Sequence, residues 1–163
     1  DRRLFASSSC GICGKESIDR IVQEFPKLKP RPLPSAELIL SLPKKLRAAQ
    51  AQFTQTGGIH AAALFSFTGD LIVSNEDIGR HNALDKVLGF ALEKELIPCQ
   101  DTILLLSGRA GFELVQKALM AQIPIVAAIG APSTLASELA FEGGMKLIAF
   151  LRDTSFNYYL GKP

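Results

Sequence analysis

Cys10 and Cys13 enclose Gly11 and Ile12 in a single C-x-x-C pair, preceded by Ser7-Ser8-Ser9 and followed by Gly14-Lys15. Two thiols at this spacing can exchange disulfides, carry sulfur or supply half of a metal site. A structural zinc takes four Cys or His ligands. The remaining candidates, Cys99, His60 and His81, are scattered and lack paired spacing, so sulfur chemistry outranks metal binding and no metal is expected. Ile18, Ile21, Val22 and Phe25 recur at helical spacing and stop at Pro26, which predicts a helix from about Lys15 to Phe25. The thiols then stand at its N-terminal end, where the helix dipole and Lys15 favour thiolate, the nucleophilic form. An inert surface pair, or half of an intermolecular zinc site, is the alternative these residues leave open.

Three loops add charge and small residues. Glu76-Asp77-Ile78-Gly79-Arg80-His81-Asn82 packs two acids, a guanidinium and an imidazole between a strand pattern and a helix pattern. Arg80 suits a phosphate clamp and His81 suits proton transfer. Asp85, four residues beyond His81, is placed to orient that imidazole across one helical turn. A helix cap with a salt bridge explains the same composition equally well. Ser107-Gly108-Arg109-Ala110-Gly111 and Gly130-Ala131-Pro132-Ser133 repeat the grammar of strand, small residues, helix. Neither has P-loop spacing. Any one of them read alone is a tight turn, but three in corresponding positions predict a shared anion-binding rim. Beyond the last strand pattern, Phe150-Leu151-Arg152-Asp153-Thr154-Ser155 and Asn157-Tyr158-Tyr159 suit a grip on a nucleotide base and its phosphates, or form a solvated tail.

His60 invites comparison with zinc deaminases, whose signatures are H-x-E and P-C-x-x-C. Here the residue two beyond His60 is Ala62, and Pro98-Cys99 is followed by Gln100-Asp101-Thr102. The Glu and the second Cys are missing, so deaminase chemistry is excluded while a deaminase fold is not.

The elements that must position these groups follow from periodicity. Pro26, Pro30, Pro32 and Pro34 predict an extended linker, after which Ser35 caps a helix carrying Leu38, Leu42, Leu46 and Ala49 on one face, kinked at Pro43 and running to about Gln52. Residues 61–67 and 71–74 flank Thr68-Gly69-Asp70 as a hairpin. Helices through Leu84–Ala91 and Phe112–Leu119 alternate with strands at Ile103–Leu106 and Ile125–Ile129. Ser133 caps a further helix to about Glu142, Gly143-Gly144 ends it, and Lys146–Phe150 is the last clear strand. This alternation predicts an α/β protein with a layered, parallel sheet. Residues 1–34 read as Cys-loop, helix and Pro-rich linker, and 35–163 as the α/β core.

The 163 residues are 47% hydrophobic and 21% charged, with mean hydropathy +0.20, and such a chain buries about two thirds of its unfolded surface. No apolar run approaches the roughly 20 residues of a membrane span. The first residues carry no signal core and no initiator Met, which predicts a fragment, and three cysteines fit the reducing cytoplasm. A net charge of +2 gives no basic stripe for nucleic acid; Lys27, Lys29 and Arg31 cluster only among prolines.

The motifs Ser9–Lys15, Thr56-Gly57-Gly58-Ile59-His60-Ala61-Ala62, Glu76–Lys86, Ser107–Arg109 and Gly130–Ser133 occur together in this order. In that combination the chain resembles the FdhD family, accessory sulfurtransferases of formate dehydrogenase, over essentially its whole length. Family members are longer at the N-terminus, so this chain resembles their larger C-terminal domain. The resemblance implies a cytidine-deaminase-like α/β/α sandwich with a mixed, mostly parallel sheet and no catalytic zinc. It implies transfer of persulfide sulfur from a cysteine desulfurase to molybdenum (or tungsten) bis(molybdopterin guanine dinucleotide), the acceptor, before its insertion into formate dehydrogenase. By the same resemblance Cys10 carries the persulfide, Cys13 is its partner, and Phe150–Ser155 binds the cofactor. Arg80, Arg109 and Arg152 are the cations expected to meet its phosphates, with His81, Ser107, Gly108, Gly130 and Ser133 completing the rim. A cytoplasmic homodimer, without nucleic-acid or membrane partners, is the expected state. A dithiol redox protein and a nucleotide-binding regulatory module are the alternatives.

Overall fold

β-Branched and aliphatic runs with no polar alternation must be covered on both sides, and the central strands have this character. The computed structural model describes Phe25 and residues 27–159; Cys10, Cys13 and the helix expected near them lie outside the described residues. The elements are α1 (Ala36–Ala49), α2 (Ala51–Thr56), β1 (His60–Ser66), β2 (Leu71–Asp77), α3 (Arg80–Glu93), β3 (Thr102–Leu106), α4 (Phe112–Met120), β4 (Ile125–Ala128), α5 (Thr134–Glu142), β5 (Lys146–Ala149) and β6 (Asn157–Tyr159). The sheet order is β2-β1-β3-β4-β5-β6.

Successive side chains point to opposite faces of a strand, and the core divides accordingly. Ala62, Leu64, Leu104, Leu106, Val126 and Ala128 face α3, α4 and α5 in one buried cluster. Ala61, Ala63, Phe65, Ile103, Leu105 and Ile125 face Ile39, Leu42 and Leu46 of α1 in the other. Three layers result, α1 on one side and three helices on the other, as the alternation of strands and helices predicts.

Four details differ from the sequence reading. The sheet is mixed, but parallel pairing is confined to β3-β4-β5, while β1-β2, β1-β3 and β5-β6 are antiparallel. Helix α1 is assigned through Pro43 and stops at Gln50, which is buried; a separate short helix, α2, follows. Arg31 of the Pro-rich stretch binds the Asp101 carboxylate at 2.7 Å, and Leu28 donates its N–H to the Gly143 carbonyl at 3.2 Å, so that stretch lies against the core. Finally, Asn157–Tyr159 form the edge strand β6, with Tyr159 packed toward one core cluster and Tyr158 toward the other. Those aromatics hold the sheet together and do not form a solvated tail.

Among the described residues, no helix is long and apolar enough to cross a membrane.

Candidate functional site

The strand directions bring the loops together. Leu106 and Ala128 end side by side on parallel strands, Ala62 near the start of antiparallel β1 faces Leu106, and Asp77 at the end of β2 faces His60. The segments after β2, β3, β4 and β5 therefore leave the sheet at one edge, the edge where open α/β sheets bind ligands.

Two of these loops are zipped by backbone. Gly130 donates its N–H to the Gly108 carbonyl at 3.0 Å, Ala110 to the Ala131 carbonyl at 3.1 Å, and Ser133 to the Ala110 carbonyl at 3.0 Å. This approach requires glycine: a Cβ at Gly130 would sit 2.8 Å from both the Arg109 nitrogen and the Gly108 oxygen. Gly108 packs less tightly, and against a side chain, its own notional Cβ lying 3.1 Å from His60 Nδ1. Ser107 ties β3 to β1, because its N–H reaches the Ala61 carbonyl at 3.0 Å and its Oγ accepts the Ala61 N–H at 2.8 Å. Ser107 and both glycines thus tie together the loops that carry the site, though none of the three lines the cleft beside them.

That cleft, of about 360 Å³, is lined by Arg80, Arg109, Gly111, Phe112, Glu113 and Ser133, among others. Its polar groups are under-used. Arg80 Nε, in this lining, is buried without a hydrogen-bond partner among the described residues, as is Nε2 of the adjacent His81 outside the lining, a costly state for a polar atom. His81 Nε2 stands 3.7 Å from Glu113 Oε2, too far for a hydrogen bond. Helix α4 begins at Gly111 with no side-chain cap, whereas Ser133 caps α5 by accepting the Ala136 N–H at 3.1 Å. Two guanidinium groups and the uncapped start of a helix are groups that can bind an anion, and the one carboxylate among them can accept hydrogen bonds.

The segment 150–155 abuts this edge. Phe150 adopts φ 51° and donates its N–H to the Gly130 carbonyl at 3.2 Å, while the Arg152 N–H closes a turn on the Ser155 carbonyl at 2.8 Å. Arg152 Nη1 donates to the carbonyls of Ile129 at 2.6 Å and Leu151 at 3.1 Å. Leu151 is buried; Arg152, Asp153, Thr154 and Ser155 are exposed. The single rim expected of three arginines therefore divides: Arg80 and Arg109 share the cleft, and Arg152 is a neighbour engaged with backbone.

The acids at the end of β2 are structural. Glu76 accepts the N–H groups of Gln52 at 2.9 Å and Phe53 at 2.8 Å. Asp77 binds Lys86 at 2.6 Å and accepts the Gly79 N–H at 2.9 Å; the Lys86 ammonium, then these N–H donors, hold its carboxyl down to about 2. Asp85 does not orient His81, because Lys117 of α4 takes its carboxylate at 2.6 Å. Cys99 is buried, which pushes its thiol pKa up, and among the described residues no three His, Cys, Asp or Glu side chains converge as metal ligands.

The sequence marks Phe112 only as an apolar helix residue, and Glu113 stands out in no motif. The usable signal was position: side chains in the first turn of a helix lean back toward the preceding loop, here Ser107–Gly111.

The comparisons with known proteins bear on this geometry. The model of the FdhD/NarQ family matches residues 1–163. The chain belongs to that family. Curated relatives named sulfur carrier protein FdhD include one from Streptomyces avermitilis, 49% identical over 99% of this chain and 58% of the relative. Another, from Sulfolobus acidocaldarius, is 47% identical over 97% of this chain and 61% of the relative. The chain thus spans about three fifths of the length of these FdhD proteins. A crystal structure assigned as a formate dehydrogenase accessory protein of Desulfotalea psychrophila superposes with TM-score 0.76 at 32% identity, over 90% of this chain and 60% of that one. A guanine deaminase from Nitrosomonas europaea superposes with TM-score 0.51 at 16% identity, over 77% of this chain and 82% of that one. This second likeness establishes the deaminase-like fold of the FdhD/NarQ chain and nothing of its chemistry.

Proposed function

We propose that this chain is the sulfur-carrying, cofactor-binding part of a protein that sulfurates the molybdenum or tungsten cofactor of formate dehydrogenase. The observation that carries the reading is the match to curated sulfur carriers over nearly the whole chain, which includes the C-x-x-C pair. The Cys10 thiolate attacks the outer sulfur of a cysteine desulfurase persulfide. A sulfur–sulfur bond forms on Cys10 and the donor's cysteine leaves as thiolate. Delivery to the cofactor as sulfide needs two electrons, and Cys13 supplies them by closing a disulfide with Cys10. The cofactor is a substrate here. Its guanine-nucleotide end enters the cleft with phosphates toward Arg80 and Arg109, and the exposed turn at 152–155 meets the portion beyond the cleft. The partners are the desulfurase and the dehydrogenase, the place is the cytoplasm, and the assembly is a homodimer.

Intact mass after incubation with a desulfurase and cysteine tests this. A sulfur adduct removable by reductant is expected on the parent and on Cys13→Ala, and absent from Cys10→Ala. No adduct on the parent rejects the proposal.

A further inference from the structure

The cleft contains one group that a phosphate receptor does not need. Glu113 lines it beside Arg80 and Arg109, yet among the described residues the side chain within 4 Å of its carboxylate that could pair with it is the His81 imidazole, with Nε2 at 3.7 Å. Neither arginine neutralises it. A carboxylate without a hydrogen-bond donor or an arginine partner near a polyphosphate repels the ligand unless it receives something in return, and an ionised carboxylate can receive only hydrogen-bond donors.

We propose that Glu113 is the residue that selects guanine, by accepting the base's N1–H and exocyclic N2–H on its two carboxylate oxygens. The assignment rests on the reading above, in which the cleft takes the guanine-nucleotide end of the cofactor, and adds to it the residue that distinguishes that base from others. Guanine presents two parallel donors at the spacing of a carboxylate's oxygens, the same bidentate match, with the same direction of donation, that a guanidinium makes with a carboxylate. Adenine places an acceptor, its N1, where Glu113 needs a donor, so it meets the carboxylate with repulsion. Hypoxanthine keeps N1–H and lacks the exocyclic amine. The cleft's volume of about 360 Å³ lies at the small end of the ~300–1,000 Å³ typical of ligand pockets, which suits one end of a large cofactor. Phe112, buried in the core cluster, adds an apolar patch to the lining. An acid in the first turn of a helix is favourable in its own right, so the test separates support of α4 from recognition of a base.

Equilibrium binding of GDP, IDP and ADP to the full chain provides that test, run on the parent, Glu113→Gln and Glu113→Ala. The parent is expected to prefer GDP over ADP by about 10- to 100-fold, with IDP between them. Both variants are expected to bring the three nucleotides within about threefold of one another, with GDP bound more weakly than by the parent and ADP at least as tightly. Selectivity for GDP that survives in Glu113→Ala overturns the assignment and leaves the nucleotide reading standing. An equal loss of all three nucleotides in both variants also overturns it, because the carboxylate then supports the fold and not the base. A parent that binds none of them overturns the nucleotide reading and the assignment together.

Discussion

A methyl group at Gly130 would stand 2.8 Å from the backbone of the neighbouring loop, and backbone cannot rotate away as a side chain can. Gly130→Ala is therefore expected to cost about 1–3 kcal/mol in urea unfolding and to weaken nucleotide binding, since the strain falls on Gly108 and Arg109. Gly89 provides the contrast. It lies inside α3 with nothing within 4 Å of its notional Cβ, so Gly89→Ala is expected to stabilise by about 0.5–1 kcal/mol in the same assay. The two glycines are indistinguishable as letters in a sequence. Their opposite responses come from what stands opposite each one.

At the scale of elements, Asp77 joins β2 to α3 through the Gly79 N–H, the Asn82 amide and the Lys86 ammonium. Its carboxyl is held at about 2 in the folded chain against roughly 4 when unfolded. A lowered folded value means that the stabilisation is complete above about pH 4 and disappears as pH falls toward 2. Urea midpoints measured from pH 6 to pH 2 are expected to drop in that window for the parent, and to drop less for Asp77→Asn. The β2–α3 junction also shows what sequence could and could not reveal. The hairpin, the loop and the helix were legible from Thr68-Gly69-Asp70 and the spacing of Leu84, Val87 and Ala91. The pairing of Asp85 was not, because Lys117 lies 32 positions away on another helix, and a helical-turn argument sees only local partners. Strand β6 was illegible for a related reason: three residues carry no period, and only pairing with β5 makes Asn157–Tyr159 a strand. Likewise Arg152 had the composition of a phosphate ligand, while the carbonyls that occupy its Nη1 come from Ile129 and Leu151.

For the whole molecule, the sheet separates two apolar layers, and neither stands without the other. Phe65 belongs to the α1 face and Leu104 to the opposite face, and both are fully buried. Phe65→Ala is expected to cost about 3–5 kcal/mol and Leu104→Ala about 2–5 kcal/mol, each a large share of the 5–15 kcal/mol typical of a domain. If the layers are one cooperative unit, far-UV and near-UV circular dichroism should report one coincident unfolding transition in both variants; separate transitions would show that the layers unfold independently. The same wholeness governs ligand capture. The cleft's walls belong to successive strand-loop-helix units whose loops share three backbone hydrogen bonds, so neither wall can swing without breaking the other's connections. For the ligand proposed above, capture is then expected to be a single collision with a finished mould: observed rates in stopped flow should rise linearly with ligand concentration, and discrimination between ligands should reside in how long each one stays.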